Sequence, residues 1–390
     1  MEVFTAFLRL GLTSFGGPLA HLGYFHREFV VRKQWLTERA YADIVALCQF
    51  LPGPASSQVG MAIGLLRRGY VGAIAAWAGF TLPSALVLIA LGVSTSRFAG
   101  TIPTGVLHGL SVMAIAVVAH AVWSMASRLC RGIPLISVAL VAMMLAWANP
   151  STAGQIGILL LAGFAGMLTL RPTPATVHER LDFPLSRREG AGWLCALALV
   201  FLGLVAADTL GGSATTSVFL AFFRTGSVVF GGGHVVLPVL HAAVVSKGWI
   251  NEDVFVAGYS AAQAIPGPLF TFAGFLGAAM NAPVSGWSGG VLCVAAIFAP
   301  SFMLVFGTLP YWESLRQNRH AQAALTAVNA ATVGILAATF QHSLVATSLH
   351  SLMDIALAAA ALMAIVLGRL PLWIIALSCA ALAQVAEALL

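Results

Sequence analysis

Apolar runs of about 20 residues follow one another from residue 3 to residue 389, with mostly short polar turns between them. A helix of that length crosses a hydrocarbon core about 30 Å thick. Only 8% of the residues are charged, against roughly a quarter in a soluble domain, so the chain lacks the polar surface that water would require. The pattern predicts an all-α polytopic membrane protein. The runs lie at 3–24, 40–66, 70–95, 104–127, 133–149, 153–170, 191–211, 215–240, 253–280, 284–310, 320–345, 347–367 and 370–389, about 13 spans. Between 171 and 190 the chain turns polar, with Pro172, Pro174, Pro184 and seven charges, and reads as a linker. Three segments result: 1–170 as a first transporter repeat, 171–214 as the linker with a connecting span, and 215–390 as a second repeat.

The formal net charge of +6 does not point to nucleic acid. The basic residues sit in short clusters between apolar runs, as in loops held on one side of a membrane. With the N-terminus inside, Arg67, Arg68, Arg128, Arg131 and the arginines of the linker are cytoplasmic, whereas Arg27, Arg32, Lys33 and Arg39 of the first loop break the rule. The five cysteines are scattered singly and no Cys/His cluster has metal-ligand spacing, so no disulfide framework, metal site or cofactor is expected. The opening MEVFTAFLRL is acidic at Glu2 and lacks the basic start of a cleaved signal peptide.

Internal repetition is the next constraint. FLRLGLTSFGG returns as FFRTGSVVFGGG, pairing Arg9 with Arg224, Gly11 with Gly226, Gly16 with Gly231 and Gly17 with Gly232 at an offset of 215. At 214, Trp35 pairs with Trp249, Glu38 with Glu252, and QFLPGP (Gln49 to Pro54) with QAIPGP (Gln263 to Pro268). Pro83 and Ser84 match Pro300 and Ser301 at 217. The order and near-constant spacing imply a duplication. An odd number of spans between the copies would mount them in opposite senses, the inverted repeat of many secondary transporters.

Chemistry concentrates in the repeated motifs. In Pro52-Gly53-Pro54 and Pro266-Gly267-Pro268, proline removes a backbone donor and glycine favours non-helical conformations, so each helix must break. A broken helix in lipid needs protein or a water-filled cavity to satisfy its freed groups. It also presents a helix N-terminus, which favours an anion. Both segments are therefore expected to line a pathway, with Gln49 and Gln263 adding donors; a packing kink is the competing explanation. Gly16-Gly17 and Gly231-Gly232-Gly233 let backbone approach either a ligand or another helix. Arg9 and Arg224 bring a permanent planar charge suited to a tetrahedral dianion, unless they merely snorkel to the interface. Glu38 and Glu252 are candidates for carrying a coupling proton or are interfacial caps beside Trp35 and Trp249. His21 and His234 flank the two glycine motifs without aligning; each carries a proton or is polar packing. Lys247 stands two residues before Trp249 whereas Gln34 directly precedes Trp35, a contrast suggesting that the halves need not bind equivalently.

With FGG, the Trp-x-x-Glu loop and QxxPGP occurring twice in order, the chain resembles the chromate ion transporter family over nearly its whole length, as in the long, two-domain members. FGGPLAHLGYFHREFV, QWLTE and QFLPGPASSQVGMAIG carry the resemblance in the first half, and FGGGHVVLPVL, GWI and QAIPGPLFTFAGFLG in the second. The resemblance implies secondary active export of chromate across a bacterial inner membrane, driven by the proton-motive force, with isosteric sulfate as competitor or true cargo. A homodimer is compatible with it. An anion channel is the alternative; a membrane enzyme is disfavoured, because no Ser/His, HExxH or clustered carboxylates are framed by both halves.

Overall fold

The computed structural model describes residues 1–97, 104–149, 151–170, 183–229, 236–341, 351–368, 370 and 372–389. Among these residues there are helices and connections and no strand, as expected where lipid forces backbone groups to pair within their own segment. The first repeat holds α1 (Glu2–Thr13), α2 (Gly17–Phe25) continued by a π-helical stretch His26–Arg32, α3 (Glu38–Phe50), α4 (Ala55–Arg97), α5 (Thr104–Leu129), α6 (Ile133–Ala148) and α7 (Thr152–Thr169). α8 (Arg187–Thr209) connects the repeats. The second holds α9 (Ala214–Val228), α10 (Val236–Val244), α11 (Glu252–Ala264), a 3-10 turn Leu269–Thr271, α12 (Phe272–Ala279), α13 (Gly286–Thr308), α14 (Trp312–Gln317), α15 (Arg319–Thr339), α16 (Leu352–Leu367) and α17 (Leu372–Leu389).

The helices fall where hydropathy puts them, but several predicted runs are not single rods. The run 3–24 divides between α1 and α2, where Gly16 and Gly17 take φ of 97° and 76°, conformations that other residues rarely adopt. The run 215–240 divides between α9 and α10. The runs 40–66 and 253–280 break at their Pro-Gly-Pro segments, as expected from proline chemistry. α1, α2 and α3, of 12, 9 and 13 residues, are each about 14–20 Å long, roughly half a bilayer.

α4 reverses at Arg68 and Gly69 into limbs 55–67 and 70–97. The limbs pack through the touching backbones of Gly64 and Gly72, as α12 and α13 do through Gly277 and Gly289. α1 lies on the second limb with Gly11 against the Phe80 carbonyl, and α9 lies on α13 with Gly226 against the Ile297 carbonyl. Small residues allow such close crossings, the usual way of packing helices where no hydrophobic effect drives them together.

The later helices are exchanged between repeats. α5 packs on α16 and α17 of the second repeat, with Gly109 against the carbonyl of Cys379, while α15 packs on α6 and α7 of the first, with Gly334 against the carbonyl of Ala139. α8 stays at the periphery, with Leu199 and Leu202 exposed and its Trp193 Nε1 donating to the Tyr70 hydroxyl at 3.2 Å.

The basic first loop is tied down locally. Arg32 pairs with Glu28 at 3.2 Å and Lys33 with Glu2 at 3.3 Å. Lys33 and Arg67 each lie over the Trp35 ring, at 4.9 and 4.8 Å. Lys247 lies over Trp249 at 4.6 Å. Lys33 therefore holds the place of Lys247, 214 residues earlier, so each Trp loop stacks a lysine on its tryptophan, and Trp35 alone is also covered by an arginine among the described residues.

Candidate functional site

Each Pro-Gly-Pro turn is held by the other repeat. The Gly53 N–H donates to the Val229 carbonyl at 2.6 Å, and the Gly267 N–H donates to the Ser14 carbonyl at 3.1 Å. Ser14 and Val229 are the residues that end α1 and α9, and they correspond at the offset of 215. Gly53 and Gly267 share a conformation, φ 115° and 119°, that a side chain resists. A methyl group on Gly53 would fall 2.8 Å from Ser301 Oγ, and one on Gly267 would fall 2.5 Å from Ser84 Oγ. These serines, too, correspond. The interrupted helices thus meet crosswise, and the glycine N–H of each turn is satisfied by a carbonyl of the other repeat.

Buried polar side chains lie around both turns. Gln58 Nε2 donates to the Pro52 carbonyl at 2.6 Å, and His21 Nδ1 lies 3.4 Å from Ser56 Oγ. Ser14 Oγ, His21 Nε2, Ser57 Oγ, Gln58 Oε1, Thr81 Oγ1 and Ser301 Oγ are buried with no hydrogen-bond partner. Such groups cost free energy unless something fills them.

The other expected residues are spread more widely. Arg9 is exposed on α1. Arg224 is half-buried and lines a hollow of about 60 Å³ with Lys247, Asp208 and Ser217. Gln49 is exposed, whereas Gln263 is buried and donates to the Tyr259 hydroxyl at 2.9 Å, so equivalent positions meet different surroundings. Gly16 is exposed and Gly17 half-buried. Gly231, Gly232, Gly233 and His234 lie outside the described residues.

Two His–Glu pairs emerge that the spacing of single motifs did not reveal. His26 Nε2 lies 2.7 Å from Glu38 Oε2, and His241 Nε2 lies 2.7 Å from Glu252 Oε2. His26 and His241 correspond at the offset of 215, so carrying the alignment nine residues past the glycines would have found them. A third pair, His108 with Asp354 at 2.7 Å, borders a cavity of about 440 Å³ together with Glu387. It joins α5 to α16 and has no local sequence signal.

The chain is similar to transport proteins along most of its length. The family model described as Chromate transporter matches residues 1–167 and again 216–384. A chromate transport protein of Cupriavidus metallidurans is 28% identical over 365 residues, covering 93% of this chain and 86% of that relative. A chromate transport protein of Pseudomonas aeruginosa is 26% identical, covering 87% and 79%, and a probable chromate transport protein of Synechococcus elongatus 27%, covering 85% and 81%. No solved structure matches the chain. A multi-pass helical membrane protein, matched twice by one family model and by long relatives named for transport, this chain belongs to the chromate transporter family and is not an enzyme.

Proposed function

We propose that the protein is a secondary active carrier exporting chromate from the cytoplasm across a bacterial inner membrane in exchange for protons, with sulfate as alternative cargo. The observation that carries this reading is the crosswise junction at Gly53 and Gly267. A carrier needs a midpoint that two halves can open in turn, and broken helices set there offer amide groups to an anion. The two copies are read as inverted, with 1–170 and 215–390 as the moving halves and 171–214 joining them. Around Pro52-Gly53-Pro54 and Pro266-Gly267-Pro268, the glycines of both FGG motifs, Gln49 and Gln263 complete the path.

Arg9 and Arg224 are assigned to attracting the dianion, a role supported for Arg224 by the second cation, Lys247, beside it. The hollow holds these two cations against one carboxylate, Asp208, and a net positive charge raises the local concentration of anions. Proton transfer is assigned to the carboxylates already singled out, Glu38 and Glu252, now with His26 and His241 as partners; His21 and His234 are the other candidates. An imidazole can both accept and release a proton, which suits it to pass one to a neighbouring carboxylate.

Uptake of labelled chromate and sulfate into inverted vesicles, with and without an imposed pH gradient, tests the reading. Gradient-dependent, saturable uptake with counterflow is expected; conductance without counterflow means a channel instead. The double variant Arg9→Ala, Arg224→Ala is expected to lose most flux while still inserting in membranes, and unchanged flux removes both from the path. His26→Gln with His241→Gln is expected to leave counterflow intact while abolishing the response to the gradient. A gradient response like that of the wild type excludes both histidines from coupling.

A further inference from the structure

The ends of the interrupted helices meet partners that fix the membrane face from which each one starts. Lys33, just past the π-helical stretch, pairs with Glu2 at the start of α1 at 3.3 Å. Had the run 3–24 crossed the bilayer, these two residues would lie on opposite faces about 30 Å apart. Arg67, at the end of the first limb of α4, lies 4.8 Å over the ring of Trp35, which precedes α3. The run 40–66 therefore also returns to the face it left. In the second repeat, Ser217 near the start of α9 and Lys247 just beyond α10 line one hollow with Asp208 and Arg224. The run 215–240 returns as well.

Two full-length helices set these places apart. α8 exposes Leu199 and Leu202, as a lipid-facing helix does, and its 23 residues extend about 34 Å, one membrane thickness. At its start the Arg187 carbonyl accepts from the Tyr311 hydroxyl at 2.7 Å, and Trp193 donates to Tyr70. At its end Asp208 accepts from Ser217. Tyr70, with Arg67 and Trp35, is on one face, and Ser217, with Lys247 and Trp249, is on the other. The second limb of α4 agrees. It leaves from Tyr70, and Gly92, about 33 Å further along, lies against the Phe275 carbonyl of α12. α11 and α12 therefore enter from the Lys247 face and return to it.

We infer that every interrupted pair is a re-entrant hairpin. α1 with α2, and α3 with the first limb of α4, dip in from one face; α9 with α10, and α11 with α12, dip in from the opposite one. The tips meet between them, where the Gly53 and Gly267 N–H groups bond carbonyls of the opposing hairpins. Re-entrant backbone is tolerated at that depth because protein covers it. The His26–Glu38 pair then opens to one compartment and the His241–Glu252 pair to the other. Charge tells the compartments apart. Arg27, Arg32, Lys33 and Arg39 join Arg67, Arg68, Arg187 and Arg188 on a single face, while Lys247 and Arg97, the last residue of α4, fall on the other. Basic residues gather on the cytoplasmic side, so the first loop is cytoplasmic and obeys the rule that a spanning first run would break. The placement of the faces stands without the carrier reading. The proton assignment rests on that reading, and under it each pair exchanges protons with its own compartment.

Lys33 and Lys247 are the only lysines of the chain, so the unmodified protein reports its own topology. A membrane-impermeant N-hydroxysuccinimide ester applied to right-side-out vesicles is expected to modify Lys247 and spare Lys33, as read by peptide mass spectrometry. In inverted vesicles the two exchange roles. Spanning runs demand the reverse pattern. That reverse, or modification of both lysines from one face, overturns the inference. Should the Glu2 pair shield Lys33 in both preparations, the exposed and equivalent positions Arg39 and Asp253 answer instead. Against a wild-type blank for the exposed Cys195, Arg39→Cys is expected to react with an impermeant maleimide from the same face as Arg188→Cys. Asp253→Cys is expected to react from the same face as Thr209→Cys. Reaction of Arg39→Cys from the Thr209 face overturns the hairpins. Labelling does not require flux, so vesicles that label as expected but carry no chromate refute the carrier and leave the hairpins standing.

Discussion

Gly53→Ala and Gly267→Ala are each expected to cut transport more than about tenfold and to lower the thermal midpoint, at an energetic cost of about 1–3 kcal/mol from backbone strain alone. Both glycines sit at φ near 115–119°, where a Cβ is disfavoured in any surroundings. The surroundings add to it: the new methyl group meets Gln58 Nε2 at 2.7 Å and Ser301 Oγ at 2.8 Å at one site, and Ser84 Oγ at 2.5 Å and Ser84 Cβ at 2.9 Å at the other. Side-chain tips can yield, but here yielding pushes the two repeats apart where their backbones are bonded. The effect on flux should therefore exceed the effect on stability. Vesicle uptake and detergent melting curves of the same preparations check this. Wild-type flux in either variant means that the crosswise junction takes no part in transport.

The largest stability effect is expected at a buried ion pair between the repeats. Arg316 of α14 donates to Asp43 of α3 at 3.2 Å, with side chains 11% and 1% exposed, and also meets Glu313 at 2.5 Å. Breaking such a pair from one side costs about 3–5 kcal/mol, because a buried charge is left without its counter-charge. Arg316→Met is expected to be the more damaging change, since the carboxylate that loses its counter-charge is almost wholly buried. Asp43→Leu leaves the guanidinium with Glu313, whose side chain is 47% exposed, and costs less. The double variant Asp43→Leu, Arg316→Met should recover most of the loss, as apolar replacement of buried pairs often does. Melting curves of the three variants test the ordering. If the double variant is as unstable as the sum of the singles, the two residues act independently and the ion pair does not couple the repeats.

What local sequence could determine, it determined well. Hydropathy located the helices, since crossing lipid is a property of a continuous stretch of chain. Proline and glycine located the breaks at Leu51–Pro54 and Ile265–Pro268, since both act on their own backbone. The offsets aligned the two halves, and the same alignment carried a little further contains His26 with His241 and Lys33 with Lys247. The burial of Ser14, Ser57, Gln58, Thr81 and Ser301 was not legible there. It carries no local signature, because a buried serine and an exposed one look the same in sequence.

Only the tertiary structure decided which parts meet. Nothing in α3 indicates that Asp43 finds Arg316 from 273 residues away, or that α5 closes on α16 and α17 rather than on the hairpin of its own repeat. Gln49 and Gln263 share a motif, yet one faces outward and the other bonds Tyr259. The reason is physical. Within a membrane nearly every helix face is apolar, so hydrophobic periodicity does not say which faces pair. Pairing is settled by the close fit of small residues such as Gly109 and Gly334, and by a few polar groups that must find partners away from water. Those are properties of the assembled surface rather than of any one segment.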